Sequence, residues 1–139
     1  MNETSENAAR LREAFAAWAA DGGASIGMWR DYMHDDIRLF SLADGETGLQ
    51  FTRQRRGYSQ VVVYLEGLIA NFRMNSWEIF ETVSEGDRVV GIGRCGWTHR
   101  ITGKSFLSPI VVVTRWRDGK MTEYGEYYDT AQVAGTLPD

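Results

Sequence analysis

The chain contains a single cysteine, Cys95, with only two histidines and two prolines among 139 residues. One thiol excludes an intrachain disulfide, and with only His34 and His99 beside it the residues for a structural zinc site are missing. No metal is therefore expected. A basic surplus is also lacking, since 15 Lys and Arg stand against 19 Asp and Glu, for a formal net charge of −4. That balance argues against nucleic acid as a main partner and against electrostatic docking on a membrane. The one local basic cluster, Arg53, Arg55 and Arg56, reads as a solvated loop, with a site for an acidic group as the alternative. No apolar run approaches membrane-spanning length. The amino terminus, Met1 to Asn7, is polar and acidic where a secretory signal is basic and then apolar. Together these absences predict a soluble protein of a reducing cytoplasm.

Aromatic side chains, by contrast, are plentiful: five Trp, six Tyr and six Phe in a chain that is 43% hydrophobic. Such a composition argues against disorder, and the length fits one domain, residues 1–139, able to bury a real core. Ala8 to Ala20 predicts a helix with Leu11, Phe15, Trp18 and Ala19 on one face, stopped by Asp21-Gly22-Gly23. A second short helix is predicted over Ser25 to Met33, carrying Met28, Trp29 and Tyr32, before a strand from Ile37 to Leu42. Residues 43–57 mix Gly, Asp, Thr and Arg and read as a long loop or irregular hairpin of the kind that borders a site. Ser59 is the expected N-cap of a third helix, Gln60 to Phe72, in which Val61, Val62, Leu65, Leu68, Ile69 and Phe72 recur at helical spacing.

From Met74 the period changes to two. Four strands separated by turns at Ser84-Glu85-Gly86-Asp87, Thr102-Gly103 and Asp118-Gly119 predict an antiparallel meander. The run Ile110-Val111-Val112-Val113 is apolar on both faces, so both faces should be covered, one by helices and the other by a second subunit. Pro109 cannot donate to a ladder and marks an edge or a bulge. In the last strand, Lys120 to Tyr128, alternation puts Tyr124, Glu126 and Tyr128 on one face, with the acid between two phenols.

The order helix, helix, strand, helix, then a four-stranded meander resembles the nuclear transport factor two-like superfamily. Ketosteroid isomerase, limonene epoxide hydrolase, scytalone dehydratase and the SnoaL-like polyketide cyclases share that fold. The residues carrying the resemblance are His34-Asp35-Asp36-Ile37, Gly86-Asp87-Arg88-Val89-Val90, Thr102-Gly103-Lys104, Asp118 to Glu123 and Tyr127-Tyr128-Asp129. It implies a cone-shaped α+β fold in which about three amino-terminal helices pack on a curved antiparallel sheet around a pocket, often in a homodimer formed through the sheet.

Functional residues carry over unevenly. The isomerase base would fall at about Ser41, its oxyanion-hole tyrosine near Ala14 or Phe15 and its oxyanion-hole acid near Val112, none of which can do those jobs. In the epoxide hydrolase pattern Arg94 matches the arginine, Gly96 replaces the first aspartate and Glu126 stands for the second, with a one-residue slip able to turn Arg94 to the other face. The cyclases resemble this chain in a single acid on the last strand, again Glu126, and in a histidine at His99.

The expected function is cofactor-independent acid–base chemistry on a hydrophobic, oxygenated small molecule, as a cyclase, isomerase, dehydratase or epoxide hydrolase. Glu126 would be the base, Arg94 its orienting partner and His99 a further catalytic candidate. Trp18, Trp29, Tyr32, Trp97, Tyr124 and Tyr128 would form the substrate wall. The alternative is a non-catalytic module for binding a small ligand or for dimerisation. In the plainer reading of the same residues, Glu126 and Arg94 form a cross-strand ion pair and His99 is solvated beside a turn. The tryptophans are then core or interface, Cys95 is a small buried hydrophobe, and Asp129 caps a last turn, Thr130 to Ala134.

Overall fold

A computed structural model describes residues 3–139. Helix α1 (Glu3–Ala20) leads through a 3-10 segment (Ile26–Asp31) into strand β1 (Met33–Ser41). A second 3-10 turn (Gln50–Thr52), the short β2 (Arg55–Arg56) and helix α2 (Tyr58–Asn71) follow. Then come β3 (Phe72–Glu85), β4 (Arg88–His99), β5 (Ser105–Arg117), β6 (Lys120–Tyr128) and a terminal helix α3 (Thr130–Ala134). The strands make one curved, open sheet in the order β2-β1-β6-β5-β4-β3. The meander from β3 to β6 is antiparallel throughout, and β1 joins β6 in parallel.

The elements follow from the local chemistry. Helix α1 buries Leu11, Ala14, Phe15 and Trp18, the stripe at spacing three and four, against β3 and β4. Phe15 stacks on Trp77 at 4.1 Å and 7°, a contact worth about 0.5–1.5 kcal/mol beyond its buried area. The segment expected as a second helix is a single 3-10 stretch, and β1 starts at Met33, earlier than the sequence pattern indicates. Nine residues, Ala24 to Tyr32, separate the Gly-rich stop from the strand, and six of them close into the tighter 3-10 form used in short connecting pieces. Ser59 lies inside α2, and Gly57, at φ 91, holds the cap position, a backbone conformation that favours glycine. Asp118 and Gly119 both have positive φ, 52 and 78, as a two-residue hairpin turn requires. Pro109 pairs with β4 but lies just beyond the point where β6 pairing starts at Ile110, so its missing N–H faces an edge.

Curvature comes from β3, whose pairing with β4 is interrupted between Met74 and Ser76 and again between Ile79 and Glu81. Across the second interruption the backbones of β3 and β4 close on each other at Gly93. A Cβ at that position would collide with the Glu78 carbonyl and stand 2.9 Å from the Ile79 Cα. Gly93→Ala is therefore expected to lower stability by about 2 kcal/mol or more, read by denaturant unfolding. A neutral result would mean that the bulge relaxes freely.

Candidate functional site

The concave face of the sheet, α1, α2 and α3 enclose a cavity whose wall is almost entirely apolar and aromatic. About 80 Å³ of it is open to the centre of a water-sized sphere. One water needs roughly 10–15 Å³ on that measure, so there is room for several waters or a compact ligand.

At the sheet side of this cavity stands Glu126. Alternation along β6 brings Tyr124, Glu126 and Tyr128 to the same face, and all three line the cavity. Parallel pairing of β1 with β6 sets Ser41 directly opposite Glu126, and α2 delivers Tyr64 from above. The carboxylate accepts three hydroxyl hydrogen bonds: Ser41 to Oε2 at 2.8 Å, Tyr64 to Oε2 at 2.6 Å and Tyr124 to Oε1 at 3.0 Å. Tyr128 reaches it at one remove. Its hydroxyl lies 2.6 Å from the Ser41 Oγ and accepts from the Ala43 amide at 3.2 Å. A serine hydroxyl has one proton, and here it goes to Glu126, so the Tyr128 proton goes to Ser41.

Glu126 keeps partial accessible area because it borders the cavity, while protein surrounds its carboxylate. Burial is the largest influence and raises its pKa above the ordinary 4.5, while the hydroxyls of Tyr64, Ser41 and Tyr124 pull in the opposite direction. The phenols move the same way, since burial and then the neighbouring carboxylate hold Tyr64 and Tyr124 well above 10 and Tyr128 up to about 12. Cys95 also lines the cavity. Burial pushes its thiol up to about 12, so it is a neutral wall residue.

The expected residues separate into two groups. Trp18, Trp29, Trp97, Tyr124, Tyr128 and Glu126 all line the cavity. Arg94 does not. It is exposed on the opposite face of the sheet, its guanidinium 5.6 Å from the centre of the Phe80 ring, and Cys95 takes the inward position. A one-residue difference in register reverses the side of the sheet, so neither the orienting role nor an ion pair with Glu126 is possible. His99 is buried rather than solvated. Its Nδ1 accepts from the Ile101 amide at 3.2 Å, and its ring meets Phe72 edge-on at 5.0 Å, behind the cavity wall. Tyr32 also lies outside. Its hydroxyl donates to Glu13 at 2.8 Å, Arg10 sits 4.6 Å from its ring centre, and burial together with the Glu13 bond raises its pKa to about 12.

Tyr64 and Ser41 were missed as donors. Tyr64 lies three residues after Val61 on the buried stripe of α2, so a hydroxyl on an apolar helix face was the available signal. For Ser41 the available signal was its place at the position of the isomerase base, but its bond to Glu126 depends on the parallel pairing of β1 with β6. The Trp29 Nε1 is buried without a hydrogen-bond partner, its ring meeting Phe15 and Trp18 edge to face. Among the described residues no group of three or more His, Cys, Asp or Glu side chains is arranged to hold a metal. No helix among them is long and apolar enough to cross a membrane.

The raised Glu126 pKa has a definite sign for stability. A carboxyl with a higher pKa folded than unfolded takes up protons on folding, so its ionisation opposes folding. That cost is absent below the ordinary value of 4.5, grows above it and is complete once the pH passes the folded value. Denaturant unfolding between pH 4.5 and neutrality is expected to show a stability component that falls as pH rises, and Glu126→Gln is expected to abolish that component. An identical pH dependence in the variant would show that the carboxyl ionises as readily in the fold as in the open chain.

Comparison with known proteins agrees with this fold. A family model described as SnoaL-like domain matches residues 11–124, ending two residues before Glu126. An NTF2-like protein of Burkholderia xenovorans is 24% identical, with 98% of each chain covered and a TM-score of 0.79. A protein with a ketosteroid isomerase-like fold from Catenulispora acidiphila, solved in complex with trimethylamine, is 20% identical over 91% of this chain and 94% of that one, with a TM-score of 0.72. A candidate SnoaL-like polyketide cyclase of Mesorhizobium loti is 18% identical over 92% and 100%, with a TM-score of 0.70. At such identities the likeness shows the fold. No curated protein matches the sequence significantly. The family-model match covers most of the chain, and with the helices, curved sheet and enclosed cavity in place, the chain belongs to the SnoaL-like domain family.

Proposed function

We propose that the cavity is the site of cofactor-independent acid–base chemistry on a compact, hydrophobic, oxygenated molecule, with Glu126 as the proton-accepting group. The observation that carries the reading is a carboxylate enclosed in an aromatic cavity with a pKa moved upward, toward the range in which a general base is effective near neutrality. Once Glu126 takes a proton from a substrate carbon or hydroxyl, its oxygens no longer need three donors. The Tyr64 or Tyr124 hydroxyl is then free to turn to the oxygen on which negative charge develops. Tyr128 acts as a positioning residue through Ser41, fixing the direction of the Ser41 hydroxyl. The reaction class lies among cyclisation, isomerisation, dehydration and epoxide opening.

One observation favours a second reading, non-catalytic binding of a small ligand in the same cavity. The hydroxyls around Glu126 are already committed to it, and among the described residues no second carboxylate, imidazole or cationic side chain lines the wall. Glu126→Gln separates the two. With a turnover assay in hand, the enzyme reading expects a loss of roughly 10²–10⁴-fold in kcat with ligand binding retained. Turnover unchanged by the substitution would remove Glu126 from the chemistry.

A homodimer through the outer face of the sheet forms part of the proposal. Its support is the row of Val111 and Val113, half-buried on that face, together with exposed Phe80, Leu107 and Tyr127. Sedimentation at micromolar concentration is expected to give twice the chain mass, and a monomeric mass would overturn it. The single buried thiol of Cys95 and the net charge of −4 support a reducing cytoplasm and a partner set without nucleic acid.

A further inference from the structure

The wall of the cavity has a one-sided electrostatic character. Among the described residues Glu126 is the sole ionisable acid or base on it apart from phenols and the Cys95 thiol, all of which stay neutral, and no lysine, arginine or histidine contributes. The three groups that bond the carboxylate are hydroxyls, which satisfy its lone pairs but supply no positive charge. A buried carboxylate without a counter-charge is the unstable half of an ion pair. The same cavity is lined by the rings of Phe15, Trp18, Trp29, Trp77, Trp97 and Tyr124, an aromatic surface that attracts cations wherever a ring face is left free. Finally, Oε2 accepts two hydrogen bonds and Oε1 only one, so Oε1 retains a free acceptor direction.

From these features we infer that the occupant of the cavity is a small organic cation, an alkylated ammonium whose N–H donates to Glu126 Oε1 while its alkyl groups pack on the aromatic rings. The inference rests on the second reading above, the cavity as a ligand-binding site anchored by Glu126. Each part of the ligand meets what the cavity supplies. The charge completes the ion pair, the alkyl surface replaces water on an apolar wall, and a bare metal cation, which wants several oxygen ligands, finds only one carboxylate. Roughly 80 Å³ of open space suits a molecule of a few non-hydrogen atoms. The net charge of −4 favours approach of a cation.

The test is calorimetric titration at neutral pH of the whole chain with trimethylammonium chloride and with tert-butanol, a neutral molecule of similar shape. Trimethylammonium is expected to bind about tenfold more tightly or better, the margin reflecting the carboxylate and the ring faces. In Glu126→Gln the ratio of the two affinities should fall to about one. Should the glutamine variant not fold, the pH dependence of the preference in the unaltered protein keeps the proposal testable. The preference should also fade as pH drops below the Glu126 pKa, since Tyr64 on α2, Tyr124 and Tyr128 on β6 and Cys95 on β4, the other titratable groups facing it, stay neutral there. Equal affinity for the two molecules in the unaltered protein would overturn the cation and leave a neutral-ligand site standing. Binding of neither at millimolar concentration would overturn both the cation and the site.

Discussion

The burial of one carboxylate is the constraint on which the rest of the site depends. Glu126 sits where an ionised group is costly, and it is tolerated because hydroxyls from three separate elements converge on it: Ser41 from β1, Tyr64 from α2 and Tyr124 from β6. None of those elements is near another in sequence. The parallel register of β1 on β6, the angle of α2 over the sheet and the alternation of β6 must all be right for the acid to be satisfied. A displacement of any of them by one residue would leave a buried charge with a missing donor, which costs more than an ordinary packing defect. The polar cluster thus helps to specify how the layers fit, although apolar burial supplies most of the driving force.

The wall around the acid shows how a sheet with two different faces is made. Along β4 and β5 the inward positions, Cys95, Trp97, Phe106 and Ile110, close the cavity, and the outward ones, Arg94, Leu107 and Val111, form a second surface. Close approach of β3 and β4 at Gly93 allows the bend that turns a twisted sheet into an enclosure. A flat sheet with the same side chains would offer a patch where this one offers an interior.

Much of the fold was legible in the residues. Period-two alternation, the Asp118-Gly119 hairpin turn and the stripe of α1 are local signals, and the meander, its turns and the helical ends follow them closely. The terminal helix was legible for the same reason, as Asp129 accepts from the Gln132 amide at 3.1 Å. Within the site, the trio Tyr124, Glu126 and Tyr128 could be read because all three lie on one strand. Ser41 and Tyr64 could not be paired with them, since their proximity arises from a crossover and from helix placement over 85 and 62 residues of separation. Arg94 failed on the same ground. Which of two neighbouring residues faces inward is set by the register of β4 between its neighbours, and a family alignment open to a one-residue slip cannot fix it. The Ser25 to Met33 segment failed locally, because helical residues were present in a short connecting stretch that closes into the tighter 3-10 form.

The hydroxyl chain from the Ala43 amide through Tyr128 and Ser41 to Glu126 has a direction, because every proton in it points toward the carboxylate. That direction depends on the acid remaining an acceptor. When Glu126 is protonated it can itself donate to Ser41, and the Ser41 and Tyr128 hydroxyls can then rotate together so that the string runs the opposite way. With its own proton turned toward the loop, the Tyr128 oxygen would present a donor to the amide of Ala43 and the bond at the loop would be lost. The backbone after β1 is thus electrically coupled to the charge state of an atom in the interior, and the rate at which the buried Ala43 amide exchanges with solvent becomes a gauge of whether the acid is ionised.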